Sequence, residues 1–249
     1  MSDIKVLKFG TSSMGKIGSN VMGFISPPVP LTISSCILFL DNDPTSMTLS
    51  GSNKVSQWSD KSGNNNHFTQ GTGANQPTFV ANGINGQNGV KWNNGFNEFL
   101  DCTFGTTYNQ IYDIIAVWNI DASSTQLYPF VYDSAGVGTR VQLYWWTNNV
   151  RAGTTSAQIA YAKTRPFNLI ANHVSFNGAS TTVYENNVLK STINGGTGAL
   201  TSLRLGHANT IDTLSRLSGY ICEVLIYSRQ LTSGERSTLQ TYLATKYGL

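Results

Sequence analysis

The sequence predicts an all-β fold, an antiparallel β-sandwich carrying a short C-terminal helix and preceded by an extended N-terminal arm. Three observations carry this. Only 12% of the 249 residues are charged, about half the roughly 25% of an ordinary domain. Polarity comes instead from 24 Asn, 26 Ser and 27 Thr, alongside 24 Gly, which is a vocabulary of turns. Between those turns, β-branched and aromatic runs recur without intervening helical periodicity, the pattern of a sandwich and not of βαβ units. With 40% apolar residues the chain can fill a core, so general disorder is excluded.

Two segments are expected, an arm over residues 1–30 and a sandwich over residues 31–249. The arm contains a short repeat, Phe9-Gly10-Thr11-Ser12-Ser13-Met14-Gly15 and Ile17-Gly18-Ser19-Asn20-Val21-Met22-Gly23, too small to make a core of its own. Its apolar residues must borrow a surface from elsewhere, which makes Phe9, Met14, Ile17, Val21, Met22 and Phe24 candidates for docking to a partner. Pro27-Pro28-Val29-Pro30 reads as a stiff spacer. The stretch from Gly10 to Lys16 also matches G-x-x-x-x-G-K, but Ile17 follows where a phosphate-binding loop needs Ser or Thr and the start of a helix. Nucleotide binding is not expected.

From residue 31 the pattern is strand, turn, strand. Residues 37–40 form a buried run ended by Asp41-Asn42-Asp43-Pro44, and residues 55–58 lead into a loop from Ser59 to Asn66. Strand composition recurs over 114–120, 141–146, 169–176, 181–185 and 220–227. Asn186-Asn187 between Glu185 and Val188 is a two-residue hairpin signal. At the end, Thr232-Ser233-Gly234-Glu235 has the spacing of a capping box. Leu239, Tyr242 and Leu243 then follow at helical spacing, with Gly248 as the stop.

Charge and composition exclude several function classes. The net charge is +3, with no cluster of Lys and Arg to track a phosphate backbone, so no nucleic-acid partner is expected. The longest apolar run, residues 31–40, is too short to cross a bilayer, and Lys5 and Lys8 are followed by Gly-Ser-Thr instead of an apolar signal segment. Cys36, Cys102 and Cys222 lie in strand-like contexts and read as buried free thiols. None of the Asn residues sits in an N-x-Ser/Thr sequon, which favours a bacterial or viral product over a glycosylated surface protein.

No catalytic set stands out. Glycoside hydrolysis needs two carboxyl groups facing one another across the scissile bond, whereas Glu98, Glu185, Glu223 and Glu235 are scattered. His67, His173 and His207 have no Cys or carboxylate at ligand spacing, so neither a metal nor any other cofactor is expected. Binding has better candidates. Consecutive aromatics in a strand cannot both face the core, so one of Trp145 and Trp146 must turn outward. An outward indole beside Asn148, Asn149 and Arg151 offers a sugar an apolar face and fixed hydrogen-bonding groups; packing against the arm, another subunit or the terminal helix is the competing role for it.

The segment from Val55 to Phe68, with Trp58, Asp60, Ser62, Gly63, Asn64 and Asn66, resembles the W-x-D-x-S-G-N-x-N stretch of the laminin-G-like, concanavalin-A-like jelly-roll family of bacterial surface and phage proteins. The closing stretch from Gly219 to Leu249 is similar to the same family's last strand and helix. The resemblance spans residues 31–249 and implies an antiparallel jelly-roll sandwich. It implies little about activity, because the family includes binding modules, enzymes and structural domains. Calcium-binding members use acidic residues on adjacent loops, and Asp121, Asp133 and Asp212 do not align with such a site. The Gly-Ser/Thr repeat of the arm is similar to those that open phage tail and virion proteins. Together these imply a non-enzymatic bacteriophage virion protein, a capsid decoration or tail appendage located on the particle. Its arm would dock to other virion proteins and its sandwich would be displayed, in an oligomer. The alternative is a receptor-recognition adhesin whose partner is a host surface glycan; a depolymerase is disfavoured.

Overall fold

A computed structural model describes residues 28–93, 97–121, 128–130, 141–154, 157–208 and 216–249, and the backbone alone of residues 8–9, 12–17, 21–25, 126–127 and 131–132. The body is an antiparallel β-sandwich. In one sheet the order is Val188–Ile193, Thr181–Glu185, Phe167–Phe176, Tyr112–Ile120 and Gly219–Tyr227. The far side of Gly219–Tyr227 is shared between Cys36–Leu40 and Gln87–Trp92, and the latter carries Thr78–Ile84. The second sheet runs Gln158–Ala162, Asn149–Gly153, Val141–Trp146, Gln126–Tyr132, Leu200–Leu205 and Leu100–Tyr108. It continues into Phe68–Thr69, Lys54–Trp58 and Met47–Ser50.

The two longest apolar strands sit at the centre of the first sheet because both of their faces are covered. Ile114, Ala116 and Trp118 pack with Val224 and Ile226 into the space between the sheets, against Leu143, Leu203 and Phe68. The alternate residues Ile115, Val117, Leu225 and Tyr227 face outward and are covered by Leu239, Leu243 and Tyr247 of the C-terminal helix. A strand buried on both sides loses its alternation and reads as a continuous apolar run, which is how both strands appear in the sequence.

The helix Ser233–Tyr247 starts at the expected capping box, with Glu235 N donating to Thr232 Oγ1 and Thr232 N donating to Glu235 Oε2 at 2.8 Å. Gly248, at φ 70°, ends it in the left-handed conformation that favours glycine. Beneath the helix, the buried Glu223 carboxylate accepts from Lys246 at 2.6 Å, Tyr247 at 2.7 Å and Tyr242 at 3.2 Å. Burial pushes this carboxyl up, against the pull of Lys246 and the two hydroxyls.

One side of the sandwich is laced by polar groups. Trp118 Nε1 donates to Asn172 Oδ1, Asn172 Nδ2 donates to the Tyr161 hydroxyl, and that hydroxyl donates to Glu185 Oε2, each bond 2.8 Å. Tyr161 belongs to the edge of the second sheet and Glu185 to the first, so the chain of bonds ties the sheets together and satisfies each buried group.

The W-x-D-x-S-G-N-x-N stretch is a loop clamp. Asp60 accepts from the amides of Phe39, Ser62 and Asn66 and from the Ser62 hydroxyl, all within 3.0 Å. Asn66 Nδ2 donates to Ile37 O at 2.7 Å and Trp58 Nε1 to Asp41 O at 2.7 Å. Asn64 and Asn66 bridge this loop to the strand that begins at Cys36, donating to Cys36 O and Ile37 O.

Two N-terminal features differ from a plain extended arm on a proline spacer. Lys8–Phe9, Ser12–Ile17 and Val21–Ile25 form a three-stranded antiparallel sheet, and the described strands of the sandwich do not pair with it. Strand backbone runs through Lys16, where a phosphate-binding loop would open a helix. The spacer ends early because Val29–Thr32 is a single helical turn, with Leu31 N bonded to Pro28 O at 2.8 Å. Proline suits a first turn, where its missing N–H would have no partner. Pro30 is buried and its carbonyl accepts from the Tyr227 hydroxyl at 3.1 Å, so residue 30 already belongs to the body.

Candidate functional site

The site is built on a hairpin of the second sheet, Val141–Trp146 and Asn149–Gly153. Its two-residue turn is Thr147-Asn148, with φ of 49° and 60°, the left-handed pair that matches the twist of the flanking strands. Asn149 Nδ2 secures the turn by donating to Thr147 O at 2.8 Å.

Side chains alternate along Val141–Trp146. Leu143 and Trp145 enter the core, where Trp145 is 3% exposed and its Nε1 donates to Lys163 O at 2.6 Å. Trp146 is 38% exposed on the opposite face. The Arg151 guanidinium lies 4.5 Å from the centre of the Trp146 ring. Tyr144, on the same face two residues before Trp146, stacks on Tyr128 at 4.8 Å with an interplanar angle of 11°. Its hydroxyl donates to Gln158 Oε1 and receives a side-chain hydrogen bond from Arg151. Burial pushes the Tyr144 phenol up, so it stays a neutral hydrogen-bonding group.

In the register of the next strand, Arg151 faces Ala160 and Asn149 faces Ala162. Both alanines fall in exposed or half-exposed positions at the sheet edge, and their small side chains leave a ledge beside Trp146 and Arg151. Trp146, Asn149 and Arg151 are therefore gathered on one surface, with Asn148 exposed at the tip of the turn. Trp145 is held apart from them by the sheet itself. Tyr128, Tyr144 and Gln158 belong to the same face but were not foreseen. Tyr144 could have been read from its two-residue spacing to Trp146, whereas Tyr128 and Gln158 arrive from separate strands. The side chains of the arm candidates Phe9, Met14, Ile17, Val21, Met22 and Phe24 lie outside the described residues; their backbone register places Met14 opposite Phe24 and Ile17 opposite Val21.

The glutamates are committed elsewhere. Glu98 pairs with Lys54 at 2.7 Å, Glu185 with Lys163 at 3.0 Å, Glu223 with Lys246 and Glu235 with Arg229, both at 2.6 Å. His173 meets Asp113 at 2.7 Å, a pair buried under the start of the C-terminal helix. Among the described residues no three His, Cys, Asp or Glu side chains converge to hold a metal ion. Burial pushes the Cys36 and Cys102 thiols up to about 12, so both are protonated and unreactive at neutral pH.

No family model and no curated protein matches this sequence. Solved structures do. Domain 4 of a GH43 extracellular arabinanase from Geobacillus stearothermophilus, solved with arabinotriose, aligns with a TM-score of 0.61 and 18% identity over 83% of this chain and 98% of that one. The fold is a jelly-roll sandwich. The binding domain of botulinum neurotoxin serotype D matches this jelly roll with a TM-score of 0.60 and 14% identity over 83% of this chain and 50% of its own. A Trypanosoma rangeli sialidase matches with a TM-score of 0.54 and 10% identity over 86% of this chain and 33% of its own. The jelly roll thus spans about half of the toxin domain and a third of the sialidase, and at these identities the likeness is one of fold.

Proposed function

We propose that this chain is a non-enzymatic display module whose jelly roll binds a surface glycan through the outer face of its second sheet. The observation that carries this is the exposed Trp146, set beside Arg151 and Asn149 on a rigid hairpin and backed by the stacked Tyr144 and Tyr128. A pyranose ring presents C–H groups on its face and hydroxyls on its rim, and an aromatic plane flanked by fixed polar groups complements both. The arabinanase domain of the same fold, solved with arabinotriose, supports the reading by analogy.

The setting proposed for the module is a bacteriophage particle, with residues 1–27 as its attachment to other virion proteins. Support comes from the Gly-Ser/Thr repeat and from an arm sheet whose described strands pair only with one another. A glycan array probed with the full chain and with Trp146→Ala tests the binding function. Binding weakened several-fold by the substitution is expected; an array with no retained glycan overturns it. Release of reducing ends from bacterial polysaccharides, abolished by changing one or two acidic residues, would overturn the non-enzymatic assignment.

A further inference from the structure

We infer that the glycan recognised at this face carries a carboxylate, and that Arg151 selects it. The inference rests on the sugar-binding reading above and adds a charge requirement to it. Several cations of the domain pair with carboxylates, as in Lys54 with Glu98, Lys163 with Glu185, Arg204 with Asp101 and Lys246 with Glu223, whereas Arg151 sits beside the exposed Trp146. Among the described residues, Arg151 has no carboxylate partner, and its buried Nε has no hydrogen-bond acceptor.

The guanidinium is nevertheless held in place. Its Cζ lies over the Trp146 ring, 4.5 Å from the centroid, and it donates to the Tyr144 oxygen, which Gln158 fixes from the other side. The N–H groups of a guanidinium all lie in its own plane. Those donors form a planar fork, which two oxygens of a carboxylate meet in a bidentate pair. The ledge over Ala160 and Ala162 gives a sugar ring room beside both groups. One residue of an acidic polysaccharide could thus place its ring along the exposed indole and its carboxylate on Arg151. Holding the guanidinium in advance also reduces the ordering cost of binding.

The test compares trigalacturonic acid with its methyl ester, which differ in charge at the carboxyl groups and little in shape, by titration calorimetry on the full chain. The expected result is at least a tenfold preference for the acid, weakening as salt rises. In Arg151→Gln, with an unchanged melting temperature, the acid should bind no better than the ester, and Arg151→Lys should recover part of the preference. Equal binding of acid and ester by the wild-type chain overturns the charge requirement without needing any variant. Loss of affinity for neutral array sugars in Trp146→Ala would then keep the glycan reading alive without it. A preference confined to sulfated sugars overturns the carboxylate assignment, and an array with no bound sugar of any kind overturns both.

Discussion

Trp145 and Trp146 are neighbours in the chain and occupy opposite faces of one sheet, one 3% exposed in the core and the other 38% exposed beside Arg151. Substitution should separate their roles. Trp145→Ala empties a large core site and abandons the Lys163 carbonyl, a loss of roughly 3–5 kcal/mol, or on the order of 10 °C in melting temperature for a domain of this size. Trp146→Ala should change stability by less than about 1 kcal/mol and act on binding alone. Thermal melts of both variants decide the matter; a Trp146→Ala chain as unstable as Trp145→Ala would make Trp146 a packing residue.

Asp60 should be the most sensitive polar position in the loop clamp. Asp60→Ala strands the amides of Phe39 and Asn66 in buried surroundings, each costing about 1–3 kcal/mol. Asp60→Asn keeps one acceptor oxygen and should fall between wild type and alanine. Urea midpoints measure this order, and a midpoint for Asp60→Ala within error of wild type contradicts the clamp.

The joint between the last strand and the helix should weaken in acid. Arg229, assisted by the Thr232 amide, pulls the Glu235 carboxyl from an ordinary 4.5 down to about 2. A carboxyl depressed in the folded state lends stability that is complete above its ordinary range and is lost as pH falls toward the folded value. Protection of the first helical turn from hydrogen exchange, taken relative to the intrinsic amide rate at each pH, should therefore fall between about pH 4.5 and 2. Glu235→Gln should flatten that dependence, and Thr232→Ala, which removes the cap, should cost about 1 kcal/mol at neutral pH. An unchanged acid profile in Glu235→Gln would place the sensitivity elsewhere.

Removing residues 1–26 should leave the jelly roll folded, because the helical turn at Val29–Thr32 and the Tyr227 bond to Pro30 are retained. Unchanged far-UV circular dichroism and a cooperative melt are expected, together with loss of incorporation into particles. Wild-type occupancy by the truncated chain would refute the attachment role, and unfolding would assign the arm to the core.

The sequence disclosed what local chemistry or long apolar runs encode. The capping box at Thr232 and Glu235 and the hairpin at Asn186-Asn187, with φ of 48° and 63°, are local signals that nothing distant overrides. The strands Thr78–Ile84 and Leu100–Tyr108 were not read, because asparagine, glycine and threonine interrupt their apolar pattern and only pairing makes them strands. Within the site, alternation alone required one tryptophan to face out. The Tyr128 stack and the Gln158 contact depend on strand order, which no local window contains.

The attachment of Pro30 to Tyr227 also has a mechanical meaning. Force applied through the arm meets the body first at the Pro30–Tyr227 bond and then at Cys36–Leu40, which pairs antiparallel with Val224–Tyr227 of the first sheet. A pull along that strand stretches its ladder in shear, so the bonds share the load and must fail together instead of unzipping one by one. Resistance to force is governed by the height of the unfolding barrier, and a tether spliced to a strand that pairs with the deeply buried Gly219–Tyr227 suits the proposed role of a domain held at one end by a particle and at the other by a surface.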